Sequence, residues 1–310
     1  MGFDPSRDIP DLSGKVVLVT GGKGIGGATV KLLAEHNARR IYVCARSRSS
    51  ADALIESIAG THPNVEVIFY PIDLSSLESV KKYAAEFVKA NDRLDLLFLN
   101  SGISTTGPAL TEEGYQSQFG INHLGHALLT QLLMPTMLRT LRGHKDADVR
   151  IMVTSSAAHR DVWGKGFDAD NVRDANAYGS ALTRYGHSKL ANVLFARGLA
   201  QHYPDITSTS YHPGVVKTEI WSKDEGNPWI MAFFRPFVAM LGRSVEDGAR
   251  TGLFLATQKV AENGAYYEPV GVKKAGSKWG RDPEEAEKCW IWTEKELRLY
   301  NGGIGWPKAY

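Results

Sequence analysis

Short apolar runs alternate with helix-length amphipathic stretches in the first third of the chain. Residues 15–20 form a valine-rich run that leads into a cluster of glycines, and residues 28–36 resume with the apolar spacing of a helix. This pattern predicts a strand, a glycine turn and a helix. The unit repeats, with predicted strands at 40–45, 65–70 and 94–99 and predicted helices at 51–58 and 77–88. Such alternation indicates parallel strands joined by helical crossovers.

The second half continues this alternation without a linker, a repeat or a low-complexity segment. It predicts helices at 113–138, at 245–256 and in a segment that ends at 202, and strands at 149–154, 206–212 and 265–268. We expect one α/β domain, a doubly wound Rossmann-type fold with a parallel sheet of about seven strands and helices on both faces. Residues 11–110 would form its dinucleotide-binding half, 111–270 its catalytic half, and 271–310 a C-terminal extension whose helix at 283–299 packs on the outside.

The composition narrows the class of protein. Of the 310 residues, 43% are hydrophobic and 23% charged, which is typical of a soluble globular protein and excludes a disordered or fibrous one. The net charge of +2 gives no reason to expect nucleic acid or an anionic membrane as partner. Neither Cys44 and Cys289 nor the scattered histidines have metal-ligand spacing, and two cysteines make no disulfide framework. With no signal segment and no apolar run of spanning length, we expect a cytoplasmic protein without a transmembrane segment.

The glycine turn is a candidate phosphate site. Gly21, Lys23, Gly24, Ile25 and Gly26 lie between the first predicted strand and helix. Glycine there lets the backbone approach a pyrophosphate at a helix N-terminus, although an ordinary tight turn has a similar composition.

A basic residue follows the second predicted strand, where a Rossmann fold meets the adenosine ribose of its dinucleotide. An acidic side chain there favours NAD, whereas Arg46 can pair with a 2′-phosphate. Lys23 supplies a second cation near the same phosphate. The sequence therefore predicts NADP (NADPH) as cofactor, the alternative being that both cations are solvated surface charges.

Tyr185, Ser188 and Lys189 form a Tyr-x-x-Ser-Lys motif. Residues four apart on a helix share a face, so the Lys189 ammonium can favour the phenolate of Tyr185 and lower its pKa toward neutrality. A phenol tuned in this way can donate and accept protons near pH 7. By itself the spacing is common on solvated helix faces, so its meaning depends on the rest of the chain.

Several further segments, in the same order along the chain, resemble the short-chain dehydrogenase/reductase family over nearly its whole length. They are Leu99-Asn100-Ser101-Gly102, Asn122-His123-Leu124-Gly125-His126, Ser155-Ser156-Ala157-Ala158-His159 and the segment from Pro213 to Thr218. The stretches around Asn122, Lys189 and Pro213 look like the branch that contains retinol dehydrogenases and WW-domain oxidoreductases. The resemblance implies hydride transfer between a nicotinamide cofactor and a carbonyl or alcohol.

The same resemblance implies a role for each matched residue. Tyr185 would protonate the carbonyl oxygen, and Lys189 would lower the Tyr185 pKa and hold the nicotinamide ribose. Ser156, chosen over Ser155 by alignment, would hydrogen-bond the substrate oxygen, and Asn122 would position a water that links Lys189 to solvent. Further cofactor contacts would come from Asp73, Leu74, Asn100, Gly102, Pro213, Gly214, Val216 and Thr218. Capping of the helix that begins near Ser75 is an alternative role for Asp73.

One feature departs from the family pattern. Only two residues separate Gly21 from Gly24, so the glycine turn is one residue shorter than the family's usual Thr-Gly-x-x-x-Gly-x-Gly. This departure motivates a second hypothesis, a sensor or scaffold that binds NADP without catalysis. A non-redox biosynthetic reaction such as an isomerisation is a third.

The substrate side is predicted to be apolar. Residues 220–241 are rich in aromatic residues and methionine and follow the segment expected over the nicotinamide, which suits a lid over the substrate. A core helix and an amphipathic surface that touches membrane are alternatives. The long insert between Ser156 and Tyr185 could shape the pocket entrance. We therefore expect an NADP-dependent oxidoreductase that reduces a ketone or aldehyde, or oxidises the corresponding alcohol. Its substrate would be a bulky hydrophobic small molecule of lipid, steroid-like, retinoid-like or secondary metabolism. The family resemblance also leads us to expect a homo-oligomer formed through the helix of Tyr185.

Overall fold

The computed structural model describes residues 2–104, 106–145, 147–162, 166–216 and 242–309. The predicted lid at 220–241 and the predicted cofactor residue Thr218 lie outside the described residues. In the part of the chain that is described, no helix is both long enough and apolar enough to cross a membrane.

One sheet organises the described chain, with the strand order β3-β2-β1-β4-β5-β6-β7-β8. The first seven strands are parallel to their neighbours, and β8 is antiparallel to β7. The strands are β1 Val16–Thr20, β2 Arg40–Cys44, β3 Glu66–Tyr70, β4 Leu96–Leu99, β5 Arg150–Thr154, β6 Thr207–Tyr211, β7 Tyr266–Glu268 and β8 Val272–Lys274. The predicted doubly wound α/β fold is confirmed.

Helices cover both faces of the sheet, as the alternation of strands and helices predicted. They are α1 Pro5–Asp8, α2 Gly24–Glu35, α3 Asp52–Thr61, α4 Leu77–Ala90, α5 Ser117–Phe119, α6 Gly125–Gly143, α7 Ala181–His202, α8 Val245–Thr257 and α9 Pro283–Tyr300. Alternate residues of β1 belong to different cores: Val16 and Leu18 pack with α4, α6, α7 and α9, whereas Val17 and Val19 pack with α2, α3 and α8. Successive side chains of a strand point to opposite faces of the sheet, and both sets are buried because helices cover both faces.

The structure differs from the predicted elements at three places. The strand β8 was missed because its three residues are exposed and carry two lysines, which leaves no apolar pattern. The helix predicted from residue 113 begins at Ser117, since Leu110 and Gln116 form an antiparallel bridge before it. A π-turn, Gly120–Leu124, separates α5 from α6, with the Gly125 N–H bonded to the Gly120 carbonyl.

The helix α9 packs along α7, and it also contributes to a core. Ala286, Cys289, Trp290 and Leu297 are buried in the cluster that includes Leu190 and Leu194 of α7. The C-terminal extension is thus part of the domain rather than an appendage. It also covers one face of the helix that carries Tyr185 and Lys189.

Candidate active site

The sequence-predicted site residues gather at the carboxyl ends of the central strands. The glycine turn follows β1, Asn100 and Gly102 follow β4, and Ser156 follows β5. From β1 the chain continues to β2 and β3 on one side of the sheet, whereas β4 pairs with β1 on the opposite side. The carboxyl ends of β1 and β4 therefore form the topological switch point, where open α/β sheets bind ligands.

The shortened glycine turn still ends at a helix N-terminus. Gly21 has φ of 99°, a value that favours glycine, and α2 begins at Gly24 after Lys23 in extended conformation. A Cβ at Gly26 would lie 2.2 Å from the Gly21 carbonyl oxygen, so this position admits only glycine. The turn therefore keeps backbone that a pyrophosphate could approach, and Ile25 follows it in the first turn of α2.

Arg46 and Arg48 lie in different environments at the end of β2. The Arg48 guanidinium is 3.0 Å from the Asp52 carboxylate and lies over the ring of Phe69. Arg46 is exposed, and no ion pair joins it to a described residue. Of the two arginines, Arg46 is the one whose charge is available to a ligand phosphate.

The two adjacent serines after β5 have separate roles. Ser155 is buried, and its hydroxyl donates to the Lys189 carbonyl at 2.7 Å, which ties β5 to α7. The Ser156 hydroxyl accepts from the Ala158 N–H and also hydrogen-bonds Tyr185. Ser156 is therefore the serine beside the phenol, and its contact with a substrate oxygen stays a prediction.

Tyr185 and Lys189 lie together, but the expected electrostatic effect of Lys189 is absent in the free protein. Loss of solvent raises the pKa of Tyr185 to about 12, and the hydrogen bond with Ser156 acts in the opposite direction. Burial lowers the pKa of Lys189 to about 7, so its charge is only partly present at neutral pH. Burial of the phenol therefore outweighs any lowering of the Tyr185 pKa by Lys189 in this structure.

The Lys189 ammonium is positioned by the end of β5. Its Nζ atom donates to the Thr154 carbonyl at 3.1 Å and lies 5.6 Å from the centre of the Tyr185 ring. A Cβ at Gly102 would lie 3.3 Å from this Nζ and 2.9 Å from Asn122 Oδ1. Glycine at position 102 therefore leaves room for Lys189 and Asn122 to approach each other.

Asn122 lies in the π-turn, and its side chain fixes the loop after β4. Its Oδ1 accepts from the Ile103 N–H at 2.8 Å, while its Nδ2 donates to the Ile103 carbonyl and to the Ser188 hydroxyl, both at 2.9 Å. The amide group is thus committed to protein partners, and the backbone carbonyl, which also faces His126 Nδ1 at 3.0 Å, has a second lone pair that could hold the predicted water.

His126 was not singled out from the sequence, and it links two parts of the site. It is fully buried on the first turn of α6, with Nε2 2.9 Å from Thr20 Oγ1 and Nδ1 3.0 Å from the Asn122 carbonyl oxygen. Burial lowers its pKa to about 4, which keeps the ring neutral. The position of a histidine four residues after Asn122 was the available indication, since that spacing puts both on one helix face.

The remaining predicted contacts surround the same edge. Asn100 Nδ2 donates to the Thr20 carbonyl at 3.0 Å, which holds the loop after β4 against the glycine turn. Leu74 is buried, and its carbonyl approaches Gly125 at the start of α6. Asp73 accepts from the Ser75 N–H, but the residue that caps α4 is Ser76, so the alternative role of Asp73 as helix cap is wrong.

The segment after β6 approaches the glycine turn from the other side. Pro213 is buried, and Gly214 has φ of 92°. Val216 forms a parallel bridge with Arg243. A Cβ at Gly248 would lie 2.8 Å from Val216 and 3.0 Å from Ile25. Val216 and Ile25 therefore meet over the same glycine of α8.

The insert between Ser156 and Tyr185 is partly core. Phe167 is fully buried and stacks at 5.8 Å on His187 of α7, and the His187 ring accepts from the Asp168 N–H. His159 receives the Ser277 N–H and contacts the Ser156 carbonyl. These histidines have structural roles, and no group of three or more potential metal ligands occurs among the described residues.

Comparison with known proteins gives consistent matches. Residues 15–166 match the family model for short chain dehydrogenase. The chain is 35% identical to the short-chain dehydrogenase/reductase drtF of Aspergillus calidoustus, covering 94% of this chain and 96% of that protein. It is 33% identical to retinol dehydrogenase 12 of Mus musculus, over 90% of this chain and 85% of the relative. The L-sorbose reductase of Gluconobacter frateurii, solved with NADPH and L-sorbose, has the same fold, with a TM-score of 0.65, 21% identity, and coverage of 86% of this chain and 98% of that structure.

Proposed function

The chain belongs to the short-chain dehydrogenase/reductase family, on its retinol-dehydrogenase-like branch, and from this premise we propose that it is an NADP-dependent oxidoreductase that reduces a ketone or aldehyde of a bulky hydrophobic molecule. The observation that carries the proposal is the grouping of Ser156, Tyr185 and Lys189 at the switch point of the sheet.

The residues present fit a dinucleotide with a 2′-phosphate. Gly26 lets the Gly21 carbonyl pack directly on the first turn of α2, because a Cβ there would lie 2.2 Å from that oxygen, and the glycine turn thus stays close to the helix N-terminus. Arg46 is exposed at the end of β2, where an arginine can pair with the 2′-phosphate, and Lys23 is exposed in the glycine turn. Asn100, Gly102, Pro213, Gly214 and Val216 would complete the cofactor site, with Asp73 and Leu74 on the adenine side.

The site offers the groups that carbonyl reduction requires. When bound, the nicotinamide supplies the hydride. Tyr185 holds its proton at neutral pH and would donate it to the carbonyl oxygen as negative charge develops there, and the charge of the Lys189 ammonium would make the phenol a stronger acid. The Ser156 hydroxyl would donate a hydrogen bond to the same oxygen and orient it.

The Lys189 ammonium, anchored on the Thr154 carbonyl, would hold the nicotinamide ribose and restore the proton. Asn122 would keep the Ile103 backbone in place and offer its own carbonyl to a water beside Lys189. The same residues would serve alcohol oxidation in reverse.

The chemical class of the substrate and the cellular compartment are inferred from three observations. A relative on the same branch is named a retinol dehydrogenase, and residues 220–241, outside the described residues, are rich in aromatic side chains. Both favour an apolar substrate from lipid, retinoid-like or secondary metabolism. Cys44 and Cys289 are free and buried thiols, as a cytoplasmic protein would have.

A titration with NADPH and NADH in parallel, followed by turnover, tests the proposal. We expect NADPH to bind about tenfold or more tightly than NADH, and Arg46→Asp to remove that preference because it replaces the phosphate partner by a like charge. Arg48→Gln is the matched control, since its guanidinium already pairs with Asp52. A panel of apolar ketones and aldehydes should then be reduced by the wild type and not by Tyr185→Phe. Preference for NADH, or an active Tyr185→Phe variant, would overturn the respective part of the proposal.

A further inference from the structure

Arg184, the residue before Tyr185, is a buried arginine without a carboxylate at ion-pair distance among the described residues. It is 5% exposed, and the charge of Asp174 acts on it only from beyond that distance. Its Nη1 and Nη2 atoms reach only the carbonyls of Ala177 and Thr106, at 3.4 and 3.5 Å, and its Nε has no partner. A buried guanidinium with so few acceptors is unfavourable unless another group supplies them.

Arg150 shows how this protein otherwise stabilises a buried arginine. It is 4% exposed, and it donates to both oxygens of Asp148 at 2.7 and 2.6 Å. Its Nη1 also donates to the carbonyls of Leu255 and Gln258 at 2.8 and 2.7 Å. The two arginines are almost equally buried, so they differ in the number and distance of the acceptors around the guanidinium.

Two hydroxyls of the loop that Arg184 contacts also lack partners. The side-chain oxygens of Ser104 and Thr106 are buried and make no hydrogen bond to a described residue. Both residues belong to the loop whose Thr106 carbonyl Arg184 contacts, and buried polar groups of this kind call for a missing ligand or water. Nε of Arg184 is a donor, and both hydroxyls can donate, so the three groups share a need for an acceptor.

This loop connects the unpartnered groups to the reacting centre. It leaves β4 through Gly102, which borders Lys189 Nζ, and reaches Ser104 two residues later. Arg184 precedes Tyr185 on α7, but side chains of consecutive helix residues point in different directions, so the connection between them runs along this loop to the Thr106 carbonyl. A ligand that follows the loop could therefore place one group at Arg184 and another at Tyr185.

We propose that Arg184, with the hydroxyls of Ser104 and Thr106, binds a carboxylate of the substrate. The inference rests on the proposed function and narrows it: the substrate is a hydrophobic oxo acid, whose carboxylate binds Arg184 while its ketone or aldehyde faces Tyr185. The planar guanidinium suits this group because it can donate two parallel hydrogen bonds to a carboxylate. The uncharged hydroxyls complete the donor set without adding a competing charge.

Binding of decanoate and of decanamide to the NADPH-loaded protein, followed by tryptophan fluorescence, tests the proposal. The two probes share their chain and differ in the charge of the head group. We expect the wild type to bind decanoate about tenfold more tightly than decanamide, since a charge-assisted hydrogen bond is stronger than a neutral one. Arg184→Met should bring the two affinities together, and Arg184→Lys should keep part of the preference.

The matched control is Arg197→Met, on the same helix. Arg197 is partly buried and forms no ion pair with a described carboxylate. It lies thirteen residues after Arg184, about 20 Å farther along α7, and donates to the Gly280 carbonyl at 3.3 Å. It should keep the full preference for decanoate. Ser104→Ala, which removes a donor and keeps the arginine, should weaken decanoate binding and leave decanamide binding unchanged.

A wild type without preference for decanoate would overturn the carboxylate site, as would a preference that survives in Arg184→Met. An equal loss in Arg197→Met would assign the preference to net charge and would also overturn it. NADPH binding, measured on each variant, distinguishes failure of the carboxylate site from failure of the proposed function. Normal NADPH binding without a preference for decanoate refutes only the carboxylate site, whereas absent NADPH binding in the wild type refutes the proposed function.

Discussion

The imidazole of His126 joins Thr20, at the end of β1, to the backbone carbonyl of Asn122 in the π-turn. The Asn122 carbonyl can only accept a hydrogen bond, whereas Thr20 Oγ1, which accepts the N–H groups of Asn100 and Ser101, has a proton that can go to His126 Nε2 at 2.9 Å or to the Phe98 carbonyl at 3.3 Å. The ring proton then resides on Nδ1 and is donated to Asn122. One neutral side chain thus connects the glycine turn, the loop after β4 and the asparagine beside Lys189.

Replacement of His126 should affect catalysis more than its contribution to packing explains. We expect His126→Phe to lower kcat and to weaken NADPH binding, with kcat/KM reduced by roughly ten- to a hundredfold, because it leaves two buried partners unsatisfied. His126→Gln should recover part of the loss. Steady-state kinetics and cofactor titration provide the measurement.

His123→Phe is the control for this experiment. His123 is as buried as His126 and lies three residues earlier, but its Nε2 contacts Thr293 of α9. It should lower the melting temperature by a similar amount while changing kcat/KM little. Equal kinetic effects of the two variants would show that His126 has only a structural role.

The two serines after β5 should respond differently to substitution. Ser156→Ala should lower kcat by about a hundredfold or more, since it removes a donor at the developing negative charge. Ser155→Ala should mainly lower the free energy of unfolding, by about 1–2 kcal/mol, because it breaks the buried bond to the Lys189 carbonyl. Turnover and urea unfolding of both variants check this. The reverse pattern would exchange their roles.

The burial of Lys189 predicts a pH dependence of stability in the protein without cofactor. Its pKa falls from 10.5 to about 7 on folding, so the unfolded chain binds more protons between these values and stability rises with pH across that window. The destabilising contribution is fully present below about pH 7. Lys189→Met should therefore increase the free energy of unfolding at pH 6 by roughly 2–5 kcal/mol, and by less at pH 9.

Urea unfolding at the two pH values provides the measurement, and the exposed Lys31 of α2 supplies the control variant Lys31→Met. Lys31→Met should change stability little at either pH. A gain in Lys189→Met that is the same at pH 6 and pH 9 would mean that the lysine is not desolvated as the structure indicates.

The position of α9 bears on the expected homo-oligomer. His202 of α7 stacks on Trp290 with ring centres 4.3 Å apart, and a Cβ at Gly198 would lie 2.9 Å from the same indole. The face of α7 that carries these residues is occupied within the chain, so a second copy cannot pack there. We predict the mass of one chain in light scattering across about a hundredfold range of concentration. A dimer would have to use another surface.

The order of the first elements was predictable because β1 and β4 are short apolar runs between polar or glycine-rich turns. All five residues of β1 are buried, and so are all four of β4. The strand β8 escaped prediction for the opposite reason: it pairs with β7 alone and is exposed, so burial imposes no pattern on it.

Within the site, sequence spacing identified Tyr185 and Lys189 but not their protonation behaviour. Spacing places both on one face of α7, whereas their pKa values depend on how much solvent the tertiary fold removes, which only the assembled structure shows. Arg184 escaped notice in the same way. An arginine in a helix is ordinarily solvated, and its burial without a carboxylate follows from the loop packed against it.

The π-turn has an evolutionary consequence. Its i to i+5 hydrogen bond, from the Gly125 N–H to the Gly120 carbonyl, accommodates one more residue than an α-helical turn. Deletion of a single codon there would restore an ordinary helix and rotate Asn122 by about 100° relative to α6, away from Ile103. Selection for this site would therefore tolerate exchanges of side chains along α6 but not a one-residue deletion at this point.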